Sequence, residues 1–280
     1  MKDSLSVLTV EKRCYNLVVS KLYKTEGIIL KHSYMGEADA LLSICTPFMG
    51  KLRAVARGVK RSRSRLGGHL EPLTYCSMML ARGRNLDIIS GCETLESFMP
   101  LRSDLWLMSC GLYVSELTDR LGIGDTENRT LFQLLLDTLR SLSNGVDPGV
   151  LLRYFEFRAM ACSGYLPEIW RCVACNCTLQ MASHRFSAPD GGLLCLDCRP
   201  ADGSARTTSV DAIKVLRFFG RNQHPALSKL KLKADVMKEI EGLMQGYVTY
   251  VLDQEVNSAR WLHELRDSKE RNRDDTTKVS

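Results

Sequence analysis

Between residues 22 and 93 apolar and polar positions come in short runs broken by turn formers, whereas beyond Pro100 the apolar spacing lengthens to three and four. The short runs at 22–31, 39–46, 50–57, 72–82 and 85–93 predict five β-strands, with turns at Tyr34-Met35-Gly36, Pro47 to Gly50 and Gly83-Arg84-Asn85. Five closely spaced strands suit a small closed barrel. The OB-fold is the common five-stranded solution, and an SH3-like barrel fits nearly as well.

The later spacing predicts helices. Leu101, Leu105, Met108 and Leu112 follow it, as do Leu131, Leu135, Leu139 and Leu142, and these helices are expected to form a core. Asp147-Pro148 supplies a start signal for a helix through Leu151, Tyr154, Phe155 and Arg158. Helical patterning returns at 209–220, and again from Ala234, where Val236, Ile240, Leu243, Tyr247 and Val251 mark one apolar face. The expected class is therefore α+β: a barrel at 21–98, then an all-α domain at 99–265 with a cysteine module embedded at about 171–200. Residues 1–20 lack periodicity and read as a disordered extension, and 266–280 as a disordered charged tail.

Charge changes this picture more than composition does. The chain has 280 residues, 45% hydrophobic and 25% charged, as expected of an ordinary soluble protein. No apolar run approaches a membrane span, and Glu11, Lys12 and Arg13 interrupt the N-terminal apolar stretches, which argues against a signal peptide and for the cytosol. Yet Lys51, Arg53, Arg57, Lys60, Arg61, Arg63 and Arg65 lie within fifteen residues that contain no acid, leaving 31 basic against 32 acidic residues elsewhere. Such concentration points to a polyanion, above all nucleic acid. Alternation in the third strand puts Leu52, Ala54 and Ala56 on one face and Lys51, Arg53, Val55 and Arg57 on the other. The glycine-bounded loop from Gly58 to Gly68 adds four cations and two serine hydroxyls suited to phosphate oxygens. Arg82 and Arg84, flanking the last hairpin tip, are candidates to extend this surface. Tyr23, Tyr34, Phe48 and Tyr75 are few for a base-stacking platform and are read as core residues.

Two tight cysteine pairs, Cys172-Val-Ala-Cys175 and Cys195-Leu-Asp-Cys198, stand nineteen residues apart. That spacing matches tetrahedral zinc ligation, with two knuckles closing one site. Four sulfurs leave no open position for water or substrate, so the ion would hold structure and do no chemistry. Cys177 offers an alternative ligand but is read as a free thiol, and His184 as a surface histidine. Cys14, Cys45, Cys76, Cys92, Cys110 and Cys162 read as small core or near-surface residues. A zinc deaminase would need His-x-Glu and Pro-Cys-x-x-Cys; a Walker loop, a Gly-x-Ser-x-Gly elbow and His-Glu-x-x-His are also missing, so no catalytic residue is assigned. Three classes remain open on the residues alone: a DNA-binding protein, a zinc-stabilised RNA-binding or transcription-type adaptor, and a thiol oxidoreductase, the last disfavoured if metal holds the thiols.

The run from Tyr23 to Pro72, YKTEGIILKHSYMGEADALLSICTPFMGKLRAVARGVKRSRSRLGGHLEP, and the following LARGRNLDII resemble the N-terminal barrel of the RecO family of bacterial DNA repair and recombination mediators. SGYLPEIWRCVAC and FSAPDGGLLCLDC resemble the flanks of that family's zinc module. The resemblance spans about residues 22 to 265, tight in the barrel and cysteine module and looser in the helices. It implies an OB-fold, annealing of complementary strands, and help in loading a recombinase onto DNA coated by single-strand-binding protein. It further implies a RecR-type partner, binding of single- and double-stranded DNA, and a place on the nucleoid. Members of the family usually begin just before the Tyr-Lys-Thr-Glu-Gly run, so residues 1–20 are additional and a true start near Val18 or Val19 is expected.

Overall fold

The computed structural model describes residues 21–266, except 62, 63, 65, 125, 201, 202, 223, 225, 226, 228, 229 and 263. The expectations for residues 1–20 and 267–280 therefore lie outside the described residues. Five strands come first: β1 (Leu22–Met35), β2 (Asp39–Thr46), β3 (Gly50–Ala56), β4 (Tyr75–Ala81) and β5 (Asp87–Glu96). They close into a barrel in the order β1-β2-β3-β5-β4. Closure runs through a parallel pairing of β3 with β5, Ala54 opposite Asp87 and Val55 opposite Ile88, which is the OB arrangement and removes the SH3-like alternative.

β1 runs four residues past its expected end and serves two partners, β4 along its first half and β2 along its second. A register shift between Ile29 and Lys31 provides the bend this requires. At Gly27 a Cβ would lie 2.6 Å from the Ile44 side chain, so only glycine lets the strand curl this tightly. The run Gly27-Ile-Ile-Leu30 is buried on both faces. Ile29 points into the barrel with Leu42, Ile44, Leu52, Ala54, Met78 and Leu80, whereas Ile28 and Leu30 point outward into the helical core. A continuous apolar run, in place of alternation, is what a doubly covered strand needs.

The helices with bounds inside the described residues are α1 (Met99–Arg102), α2 (Leu105–Leu121), α3 (Arg129–Ser143), α4 (Pro148–Cys162), α5 (Val210–Arg221) and α6 (Ala234–Leu252), and residues 257–262 and 264–266 are helical too. Asp104, Asn128, Asp147 and Ser209 cap the N-termini of α2, α3, α4 and α5, each accepting from a backbone N–H of the first turn. Leu131, Leu135, Leu139 and Leu142 are buried as their spacing predicts. The phase of α2 differs from expectation. Leu105 and Leu112 lie on its exposed side, and Cys110, Tyr113, Val114, Leu117 and Leu121 form the buried one. This helix sits between the barrel and α3 and α4, and its small residues Gly111 and Ser115 face neighbours on those sides.

Behind α2 the helical core carries a buried charge network. Arg153 donates to Glu156 at 2.5 Å and lies 3.3 Å from Glu241; Tyr113 donates to Glu156 at 2.6 Å and Arg266 to Glu241 at 2.5 Å. Burial drives the Glu156 carboxyl up to about 7 despite the opposing pull of Arg153 and the Tyr113 hydroxyl. Between α4 and α5 lies a small sheet ordered β7-β6-β8, with β6 at His184–Ser187, β7 at Gly192–Leu194 and β8 at Arg206–Thr208. Its Phe186, Leu193 and Leu194 join the helical core, so the cysteine module is an insertion anchored to the helices. Among the described residues no helix is long and apolar enough to cross a membrane.

Candidate nucleic-acid interface and metal centre

Alternation along β3 is as the sequence dictates: Leu52, Ala54 and Ala56 are buried, and Arg53 and, just past the strand, Arg57 are exposed. Arg53, Arg57, Lys60, Arg61, Arg82 and Arg84 are all exposed, and none has a carboxylate at ion-pair distance among the described residues. Lys51 is different. Its Nζ donates to the Asp119 carbonyl oxygen at 2.7 Å and stands 3.9 Å from that residue's carboxylate, tying the barrel to α2. Arg63 and Arg65 lie outside the described residues.

The cationic loop after β3 leaves the barrel under backbone control. The Gly58 amide donates to the Asp39 carboxylate at 2.8 Å and the Lys60 amide to the Ala38 carbonyl at 3.1 Å, pinning 58–60 against the β1–β2 turn. There Lys60 Nζ sits 3.6 Å above the centre of the Tyr34 ring, and the centre of the His32 ring is 4.8 Å from that of Tyr34. Tyr34 is 52% exposed and Phe48 57%, so the expectation that both serve the core is corrected. Tyr34 pairs with the buried Ala40 close to the end of β1, one residue before the strand ends, and is exposed there. Phe48 at the β2–β3 turn lies under the Arg129 guanidinium, 4.3 Å from its ring centre. Tyr23 and Tyr75 are half-buried, with their hydroxyls on Asp87 and Glu26.

Sequence reasoning also passed over Lys31. Cross-strand register aligns Lys31, Ser43 and Arg53 in one row over β1, β2 and β3. Beside them is a groove of about 230 Å³ lined by Lys31, Ser33, Ser43, Lys51, Arg53 and Asp119. Only the register could reveal it, since Lys31 lies outside the basic run. The turn bearing Arg84 precedes Asp87, the residue paired with Ala54, so this hairpin lies alongside β3. Arg82 stacks over the Tyr23 ring at 5.2 Å. The outcome is a cationic, aromatic-bearing face that can neutralise phosphates and offer a ring to an unpaired base.

In the cysteine module, hydrogen bonds lay the first knuckle along β7. Glu168 N donates to Gly191 O, Leu193 N to Glu168 O and Val173 N to Leu193 O, at 2.8–3.0 Å. At Gly192 a Cβ would collide with the Glu168 backbone at 2.3 Å, so this approach requires glycine. Cys172 is thereby set beside Cys195, which directly follows β7. The Sγ atoms of Cys172, Cys175, Cys177 and Cys195 all lie within 4.8 Å of one another. Cys198, three residues beyond Cys195 and outside that group, has a thiol that interacts with those of Cys195, Cys175 and Cys172. Burial raises the Cys172 thiol, but amides of Cys175, Cys195 and Ala174 directed at its sulfur outweigh this and bring it down to about 6. Thiolate-favouring amides around converging sulfurs fit a soft, four-coordinate cation such as zinc.

His184 is buried, not a surface residue, and its Nε2 pairs with the Gln180 carbonyl oxygen at 2.9 Å. Arg185 holds the second knuckle, donating to the carbonyls of Leu196 and Cys198 at 2.6 and 2.5 Å. Cys45, Cys76 and Cys110 are buried and Cys92 and Cys162 partly so, in line with core or near-surface roles, while Cys14 lies outside the described residues.

Comparison with known proteins gives a consistent result. The family models described as Recombination protein O N terminal and Recombination protein O C terminal match residues 20–98 and 102–260. A Dehalococcoides mccartyi protein named DNA repair protein RecO is 36% identical over 244 residues, covering 87% of this chain and 96% of that protein. Proteins of the same name are 38% identical over 246 residues in a Roseiflexus species, covering 88% of this chain and 87% of that protein, and 31% identical over 243 residues in Halalkalibacterium halodurans, covering 87% and 95%.

Proposed function

Because the chain belongs to the recombination protein O family of DNA repair proteins, we propose that it is a non-catalytic recombination mediator. It anneals complementary single strands and assists recombinase loading on DNA coated by single-strand-binding protein, together with a RecR-type partner and at the nucleoid. The observation that carries this reading is the set of exposed cations on β3, its following loop and the β4–β5 hairpin, which lack carboxylate partners among the described residues.

Arg53, Arg57, Lys60, Arg61, Arg82 and Arg84, with Arg63 and Arg65 further along the loop, neutralise phosphates on single- and double-stranded DNA. Lys31 extends the row, and Tyr34 gives one base a ring to stack on. Lys51 contributes by holding β3 against α2. Repulsion between two phosphate backbones opposes annealing; a surface that lowers the charge of both strands at once weakens that barrier. At the cysteine cluster a zinc ion, when bound, supplies structural cross-linking. Cys172, Cys175, Cys195 and Cys198 would hold it, while Arg185 and the Gly192 approach position the knuckles.

The deciding experiment is annealing of oligonucleotides coated with single-strand-binding protein, together with binding titrations at several salt concentrations. About five phosphate contacts give a logarithmic salt slope on the order of −3.5 on single strands. A slope near zero, or one unchanged in R53A/R57A/R61A, removes this face from the interface. Binding with the expected slope but without acceleration of annealing retains DNA binding and overturns the mediator role.

A further inference from the structure

Five thiols converge where a tetrahedral ion needs four. Zinc–sulfur bonds of about 2.3 Å place the ligand sulfurs of a tetrahedral site about 3.8 Å apart. Cys175 and Cys195 Sγ already stand 3.9 Å apart. Cys172, Cys175 and Cys195 serve two sets of four: with Cys177 they form the cluster within 4.8 Å, and with Cys198, which lies outside that cluster on the second knuckle, they complete the two Cys-x2-Cys pairs whose thiols interact. Cys177 reaches the site because its backbone is fastened there. Asn176 takes a left-handed conformation at φ 60°, its amide bonds the Cys172 carbonyl at 2.8 Å, and the Cys172 amide bonds the Cys177 carbonyl at 2.9 Å. Cys198 is fastened from the other side, by Arg185 on its carbonyl.

We infer that Cys172, Cys175 and Cys195 are fixed ligands, and that Cys177 and Cys198 are interchangeable fourth ligands competing for one coordination position. The inference rests on the zinc reading of the cluster. One sulfur is always left over, and it lies at the exposed edge of the module, Cys177 being exposed and Cys198 partly so. The ion then has a replacement donor beside it whenever one fourth ligand is lost to oxidation or alkylation, so the module keeps its fold through damage to a single edge thiol.

The test measures zinc content of the full chain by elemental analysis, and sulfur coordination number by X-ray absorption. Wild type, C177S and C198S are expected to carry equal, stoichiometric zinc with four sulfurs, and C177S/C198S and C172S to lose it. Loss of zinc in C198S but not C177S fixes Cys198 as the sole fourth ligand, and the reverse fixes Cys177; either overturns the inference. Wild type without stoichiometric zinc overturns the zinc reading itself. Should a variant fail to fold, limited alkylation of metal-loaded wild type decides, read by peptide mass spectrometry. Label divided between Cys177 and Cys198 supports exchange; label confined to one of them refutes it.

Discussion

The arginines of the barrel rim and the paired arginines of the helical domain are the same side chain in opposite circumstances. Arg53, Arg57, Arg61 and Arg84 project into solvent. Arg120 is paired with Glu116, Arg140 with Glu96, Arg153 with Glu156 and Glu241, and Arg266 with Glu241; Arg217 donates to the carbonyls of Ile169 and Leu179. A guanidinium supplied with a local carboxylate or carbonyl is structural. One left in solvent with none keeps its charge available to an arriving phosphate. Lys51 marks the boundary, since it sits in the basic run yet is turned toward Asp119.

The contrast can be broken most forcefully in the buried network. R153M strips Glu156 of its cation inside the core and should cost about 3–5 kcal/mol in urea denaturation, with the R153M/E156Q double variant recovering part of that loss. A loss within experimental error would mean that Tyr113 alone satisfies Glu156. The same network sets a pH dependence. A carboxyl raised in the folded state from its ordinary 4.5 to about 7 gives stability that is complete below the lower value and declines as pH rises through the upper one. Denaturation midpoints should therefore fall from about pH 5 to pH 8, and E156Q should flatten that slope.

On the rim the effects move from stability to binding. R53A/R57A/R61A should shorten the logarithmic salt slope on single strands by about 2, as anisotropy titrations would register. Y34A should weaken single-strand binding by about 1–3 kcal/mol while leaving that slope in place, because a ring contributes stacking and no charge. An altered slope would assign Tyr34 to positioning Lys60 instead. R53A alone should change folding stability by less than about 0.5 kcal/mol, the smallest effect in the series and the sharpest contrast with R153M.

The distinction was partly legible in the sequence. Period-two alternation in β3 placed Arg53 and Arg57 outward, because side-chain direction in a strand follows directly from position. The same logic could not place Tyr34 or Lys31, whose significance comes from their cross-strand neighbours, Ala40 and Ser43. In α2 the stripe Leu105, Met108, Leu112 suggested a buried face, but the helix is covered on its other sides, where small residues such as Cys110, Gly111 and Ser115 allow close approach. Pair spacing located the cysteine cluster, yet the left-handed turn at Asn176 that delivers Cys177 to it has no signature beyond an asparagine between two cysteines. His184 likewise carries no local signal of its burial, which comes from the pairing of β6 with β8 opposite Thr208 and from the Gln180 carbonyl at its Nε2.

The seam between the barrel and the helices carries a last consequence. Gly50 holds φ at +58°, and a Cβ there would strike the carbonyl oxygens of Thr126 and Ile123 at 2.3 and 2.4 Å; the Lys51 amide bonds Ile123 at 3.0 Å and Gly50 bridges Gly124. Main chain is riveted to main chain at the start of the very strand that bears Arg53. On the proposed reading, a polynucleotide lying across that strand would take its bearing from the orientation of α2 and α3, and a partner gripping those helices would receive its DNA at a preset angle.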